Sequence, residues 1–244
     1  MNLELCTRKR NINRYKLHMK KAIFLILLLF ASMIVNAQKE VTKFLGIPVD
    51  GFKQEMINKL KAKGFQFDKQ LDCLTGEFNG YDVLISIVTN NNIVWRIVIQ
   101  DAITQDEAGI KIRFNKLVQQ FLKNEKYMPA SLADPTLSDD ENISYEMLVH
   151  KKRYEAAFYQ LPLKADTLKT QTELKNKLLE KFTQEQLENP TEEQLSDIKY
   201  EAMMFMLDLC SKRSVWFLID EKYGEYRIVM YYDNEYNHSD GEDL

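Results

Sequence analysis

Tyr231, Tyr232, Asp233, Glu235 and Tyr236 crowd into six positions near the end of the chain, with Asn237, His238, Asp240, Glu242 and Asp243 close behind. Carboxylates and amides at this density are hard oxygen donors of the kind calcium takes, and tyrosines beside them suit the apolar faces of sugar rings. The spacing does not make a calcium loop. Counted as an EF-hand from Asp233, His238 stands where the sharp turn needs Gly, and Leu244 where a bidentate Glu would close the shell. Tyr231, Tyr232, Asp233, Glu235 and Tyr236 are therefore the candidate contacts for a small ligand or carbohydrate. The plainer reading, which the polarity favours, is a solvated acidic tail over 233–244 whose tyrosines finish the last strand.

His150 is a further candidate contact, followed by Lys151, Lys152 and Arg153. The cluster could grip an anionic group, but the same residues suit the exposed turn of a hairpin, where polar side chains accompany solvated backbone. Other chemistries have little to work with. Beyond residue 37 only His150 and His238 remain, and neither a His-Glu-x-x-His nor a Cys-x-x-Cys pattern occurs, so no metal is implied. The eight glycines are scattered singly, which leaves no phosphate-cradling loop and implies no cofactor. No Gly-x-Ser-x-Gly elbow is present. The balance leans away from an enzyme, although a nucleophile recognised only by geometry would escape such a reading.

Where the chain works depends on its start. Lys20 and Lys21 precede an apolar run from Ala22 to Val35, and Asn36-Ala37 leads into the polar Gln38-Lys39-Glu40. A run of fourteen residues falls short of the roughly 20 that cross a bilayer core. Basic, apolar and then small residues are the order of a secretory signal, with Val35 and Ala37 placing the cut between Ala37 and Gln38. The stretch resembles the leaders of exported bacterial proteins whose signal ends in Asn-Ala-Gln. An uncleaved anchor would export the remainder equally, and the basic residues 1–18 ahead of Met19 suggest Met19 as the true start. The expectation is export to the periplasm, the cell surface or the medium, with membrane contact only through the signal segment.

The leader takes seven of the 33 basic residues and one of the 36 acidic ones with it, leaving 26 against 35, a net charge of −9. That field disfavours nucleic acid, whose binding needs a basic stripe. Cys6 leaves too, so Cys73 and Cys210 are the pair that an oxidising compartment could bridge, or two separate buried thiols.

The elements that must position these residues read as two units. In 38–128, Asp50 is the expected cap of a helix carrying Phe52, Met56, Ile57 and Leu60 and closed by Gly64. Three strands follow, turned by Asn79-Gly80, with Val83, Ile85 and Ile87 sharing one face, and Ile93, Trp95, Ile97 and Ile99 another. Thr104 and Glu107 suggest a capping box for a helix with Ile110, Phe114, Leu117, Val118, Phe121 and Leu122 as its apolar stripe. Residues 129–142 read as a loop.

In 143–232, Tyr145, Met147 and Val149 alternate, as do Tyr154, Ala156 and Phe158, predicting a hairpin around His150. Two helices with buried faces follow, carrying Leu174, Leu178, Leu179 and Phe182, then Leu195, Ile198, Ala202, Phe205, Met206 and Leu209. A last hairpin turns at Tyr223-Gly224. "NIVWRIVIQD" and "RSVWFLIDEK" share a Val-Trp step that raises the question of duplication.

The fold class is α+β, an antiparallel sheet of hairpins and a three-stranded meander packed by amphipathic helices after the signal peptide, the two units expected to form one domain. The expected function is an exported, non-catalytic module binding a protein or another envelope component through a sheet edge or exposed face. The alternatives are the small-ligand or carbohydrate reading and a hydrolase with an unrecognised site.

Overall fold

Three two-residue reversals organise the central sheet. Asn79-Gly80 has φ of 55° and 79°, Asn91-Asn92 49° and 63°, and Tyr223-Gly224 58° and 79°. Two successive left-handed residues make the type I′ turn, whose twist matches that of the strands it joins. In the computed structural model, which describes residues 41–161 and 167–239, these turns link β4 (Cys73–Phe78) to β5 (Tyr81–Asn90), β5 to β6 (Ile93–Asp101), and β9 (Ser214–Lys222) to β10 (Glu225–Asp233). The signal segment, the Ala37/Gln38 junction, Met19 and the tail acids Asp240, Glu242 and Asp243 lie outside the described residues.

The described chain is α+β, with antiparallel sheets and six helices. A two-stranded ribbon, β1 (Lys43–Phe44) with β2 (Ile47–Pro48), accompanies a sheet of eight strands in the order β3-β4-β5-β6-β10-β9-β8-β7. Its edges are β3 (Gln66–Asp68) and β7 (Tyr127–Pro129), and β8 (Glu155–Gln160) lies inside β7. The two meanders β4-β5-β6 and β8-β9-β10 meet where β6 pairs with β10. The described residues from Val41 onward form one compact unit.

One face of the sheet is covered. Ile85 and Ile87, Ile97 and Ile99, Ile228 and Met230, Phe217 and Ile219, and Ala156 and Phe158 alternate inward at 6 % exposure or less. Helix α1 (Lys53–Lys61) adds Met56, Ile57 and Leu60, and α2 (Glu107–Leu122) adds Ile110, Phe114, Leu117, Val118 and Phe121, to this one core. Arg113 of α2 is also buried there, reaching Asp101 of β6 at 3.1 and 3.3 Å with its guanidinium 3.6 Å from the centre of the Tyr81 ring.

Several local expectations give way. Asp50 does not cap α1: Gly51, at φ +81°, turns the chain, Phe52 is the N-cap, and the Asp50 carboxylate accepts from Gly51 N (2.7 Å) and Asn237 Nδ2 (2.8 Å). The cap of α2 is Asp106, which accepts from Gly109 N at 2.8 Å, while Thr104 donates to Glu225 and Glu107 accepts from Ile143 N. Tyr145, Met147 and Val149 do not form a strand. They lie in α3 (Ile143–His150), capped by Asn142 and ended by Lys151 at φ +55°. A four-residue step puts Ile143 and Met147 on the core side, and that helical repeat overrides the period of two. Residues 129–142 begin as strand, since Pro129 pairs with Phe158.

Among the described residues, three helices rather than two separate β8 from β9: α4 (Thr167–Leu179), α5 (Gln184–Glu188) and α6 (Glu192–Ser211). Their stripes are not buried, for Leu174, Leu178, Ile198, Phe205 and Leu209 are only half-covered and Cys210 alone in α6 is buried. The two Val-Trp steps occupy β6, the third strand of its meander, and β9, the second of its own, so they are not equivalent copies.

Cys73 and Cys210 are separate buried thiols, not a bridge. Cys73 opens β4, five strand positions from β8, against which α6 packs. At about 4.8 Å per strand that is roughly 24 Å, far beyond the ~7 Å limit for bridged Cα atoms.

Candidate binding face of the sheet

The uncovered side of the sheet takes its character from an irregularity between β5 and β6. Val88 pairs with Arg96 and Thr89 with Val94, which leaves Trp95 as an extra residue opposite nothing. Such a bulge re-aims the side chains beside it. Val94 enters the core at 0 % exposure, and Trp95, expected to line up with Ile97 and Ile99, instead stays half-exposed beside Arg96 and His238.

Arg96 is the centre of the arrangement. Its Nε and Nη2 donate to the two carboxylate oxygens of Asp233 at 2.6 and 2.7 Å, across the β6–β10 pair that sets these residues opposite one another. Asp233 Oδ2 also accepts from the Trp216 indole at 2.8 Å. Trp216 and Tyr231 are opposed on β9 and β10 and stack with centroids 4.0 Å apart at 15°. The guanidinium lies 4.3 Å from the Trp95 ring centre, 4.8 Å from Tyr231 and 5.5 Å from Trp216, within the range of cation–π attraction. Burial pushes the Tyr231 hydroxyl pKa up, and the Arg96 charge opposes that rise.

Register extends this cluster into an ordered surface. One row runs Ser86, Val98, Tyr231, Trp216 and Ala157 across five strands, and the next runs Leu84, Gln100, Val229, Leu218 and Glu155. Apolar and aromatic groups hold most of the centre, interrupted by Gln100, and Ser86, Glu155 and the Arg227–Asp220 pair (2.8 Å) stand around it. An apolar, aromatic middle with a polar rim is the anatomy of a protein-binding patch.

The tail residues are divided by this geometry. Tyr231 belongs to the open face. Tyr232 points the other way, 5 % exposed in the core, where burial and a hydrogen bond with Tyr127 hold its hydroxyl pKa well above the usual value. Asp233 is 2 % exposed and bound by Arg96 and Trp216, while its carbonyl accepts from Thr42. From Asn234 to Asn237 the chain folds back on the sheet: Asn234 donates to Val49 O at 2.7 Å, and Glu235 and Tyr236 lie in a 3-10 turn (Glu235–Asn237). Asn237 Nδ2 reaches Val94 O at 2.9 Å, folding the turn back on β6. His150 is not part of this assembly; its partners, Glu146 at 2.8 Å and the Tyr145 ring, come from its own helix.

Sequence reading missed Trp95, Arg96 and Trp216. The two Val-Trp steps point at both tryptophans, but a period-two pattern groups Trp95 with Ile97 and Ile99, because a bulge leaves no mark in it. Among the described residues, no group of three or more His, Cys, Asp or Glu is placed to hold a metal ion, and no helix is long and apolar enough to cross a membrane. No protein-family model, curated protein or solved structure matches the chain.

Proposed function

We propose that the protein is an exported, non-catalytic binding module that engages a protein or other envelope component through the open face of its eight-stranded sheet. The observation that carries this reading is the asymmetry of the sheet: helices cover one side, and the other presents half-exposed Trp95, Trp216, Tyr231, Val98, Leu84 and Leu218 within a polar rim. The face serves better than the edges. Both edge strands have three residues, and β7 ends in Pro129, which cannot donate to an added strand.

The rings of the cluster are used by one another and by Arg96, so they form a rigid relief rather than an empty shelf. Rigid aromatic surface costs little conformational entropy when it is covered, which suits recognition of another preformed surface.

The chain's two tryptophans, Trp95 and Trp216, both lie in this cluster, so indole fluorescence reports on the face directly. Titration with separated envelope proteins, cell-wall fragments and simple sugars should give a saturable change with a protein or cell-wall fraction. Val98→Asp, placed in the middle of the face, should abolish it without loss of secondary structure. Saturation by monosaccharides instead would establish the small-ligand alternative, and unchanged emission with every fraction would sink the face as a binding site.

A further inference from the structure

At the β4–β5 corner of the open face, Glu77 and Asp82 pair directly across the two strands. Asp82 precedes the buried Val83, and Glu77 follows Gly76, where a Cβ would stand 2.6 Å from the Phe65 ring on the core side. Alternation along each strand therefore turns both carboxylates to the uncovered side, where both residues are exposed. Side chains opposed in this way have Cβ atoms about 5 Å apart, and like charges there repel.

Nothing on the face relieves that repulsion. Among the described residues, neither Glu77 nor Asp82 has a lysine or arginine partner. The arginines of the face are committed elsewhere: Arg96 to Asp233, Arg227 to Asp220, and Arg153 to Glu155 at 3.0 Å. Ala102, whose N–H donates to Asp82 O at 2.8 Å, brings no charge to the corner.

We propose that the partner of the open face is a protein surface carrying lysine or arginine beside an apolar patch, and that Glu77 and Asp82 receive its cation. The inference rests on the reading of this face as a binding surface and adds the chemistry of its occupant. Leu84 is the next residue along β5 on the same side, about 7 Å from Asp82, and Val229 and Leu218 share its row. A cation over the acidic pair thus sits at the margin of the apolar ground. Exposed charges at such a margin steer the encounter and select the partner. The sign also argues against other occupants. Beyond residue 37 the chain carries 26 basic against 35 acidic residues, a net charge of −9, so the pair strengthens a field that repels anionic lipid and phosphate-bearing polymers.

The test uses three disulfide-closed hairpin peptides, each with a face of Leu, Val and Ile that ends in two arginines, two glutamines or two glutamates. Followed by the indole emission of the intact chain, the arginine peptide should bind about tenfold or more tightly than the glutamine peptide, the glutamate peptide should bind least, and added salt should narrow the differences. Glu77→Gln with Asp82→Asn should lower the affinity for the arginine peptide to that for the glutamine peptide. The same pair of changes should raise the melting temperature by about 1–4 °C, because it removes the repulsion from the free protein. A firmer fold with weaker binding separates a lost partner contact from a damaged sheet, and Asp82→Asn alone gives the same two signs if the double variant misfolds. Equal affinity for the arginine and glutamine peptides, with both lost in Val98→Asp, would overturn the cationic partner and leave the face standing. Binding of none of the three would remove the face as well, and capture of the protein by phosphatidylglycerol vesicles through Val98 would put a membrane in the place of a basic protein.

Discussion

Asp233 concentrates three kinds of contact in one residue: a bidentate ion pair with Arg96, the Trp216 indole hydrogen bond and a main-chain acceptor for Thr42. The two members of the pair differ in burial, with side-chain exposures of 23 % for Arg96 and 2 % for Asp233. That difference orders the consequences of breaking it. Asp233→Asn keeps the shape and leaves an arginine that water can partly reach, so it should cost about 2 kcal/mol. Arg96→Met strands a buried carboxylate and should cost about 3–5 kcal/mol. Urea midpoints at unchanged slope measure both, and equal losses would show that burial does not govern the pair.

At the scale of elements, β3 and β4 depend on one glycine chosen for space rather than for backbone freedom. A Cβ on Gly76 would stand 2.6 Å from Cδ1 of Phe65, a residue 5 % exposed in the core. Gly76→Ala must push that ring aside and should cost about 1–3 kcal/mol by overpacking. Trimming the ring as well, as Phe65→Leu with Gly76→Ala, should cost less than the sum of the two single changes; additive losses in thermal unfolding would place the strain elsewhere. The bulge at Trp95 works similarly as an element-level device, for it gives Val94 to the core and Trp95 to the open face in consecutive positions. The helices between β8 and β9 follow different rules. Thr191 with Gln194, and Thr183 with Gln186, make reciprocal capping boxes, so α6 and α5 are specified locally even where little packs on them.

The whole molecule should be limited more sharply by base than by acid. Burial raises the pKa values of Tyr232, Tyr154, Tyr231, Cys210 and Cys73 above their ordinary values of 10.0 for tyrosine and 9.0 for cysteine. A group whose folded pKa is raised stabilises the fold fully below its unfolded pKa, and that stability is lost as pH rises through the folded value. Stability should therefore decline above about pH 9, with tyrosinate absorbance and loss of ellipticity appearing together. Tyrosinate forming first, in a folded protein, would contradict the burial of these hydroxyls. On the acid side, hydrogen bonds from Lys152 and Tyr154 hold the Glu141 pKa below 4.5, so its contribution is present above that pH and is lost as pH falls through the folded value. The thiols give an independent check: iodoacetamide should label Cys73 and Cys210 slowly in the native protein and rapidly in denaturant without reductant. A Cys73–Cys210 bridge found by peptide mapping would contradict their placement at distant strands.

These same features mark what was legible from sequence. The I′ turn at Asn79-Gly80, the hairpin at Tyr223-Gly224, the inward alternation of Val83, Ile85 and Ile87, and the stripe from Ile110 to Phe121 depend on neighbours a few residues away, so the amino-acid order determined them by itself. Tertiary structure alone decided that Asp233 is buried, because its partners Arg96 and Thr42 lie 137 and 191 residues away in sequence. It also decided that Trp95 leaves the core, that Ile143 to Val149 coil rather than extend, and that one side of α6 stays bare. Each outcome turns on which distant surface is present to remove a side chain from water, and a local pattern cannot carry that information.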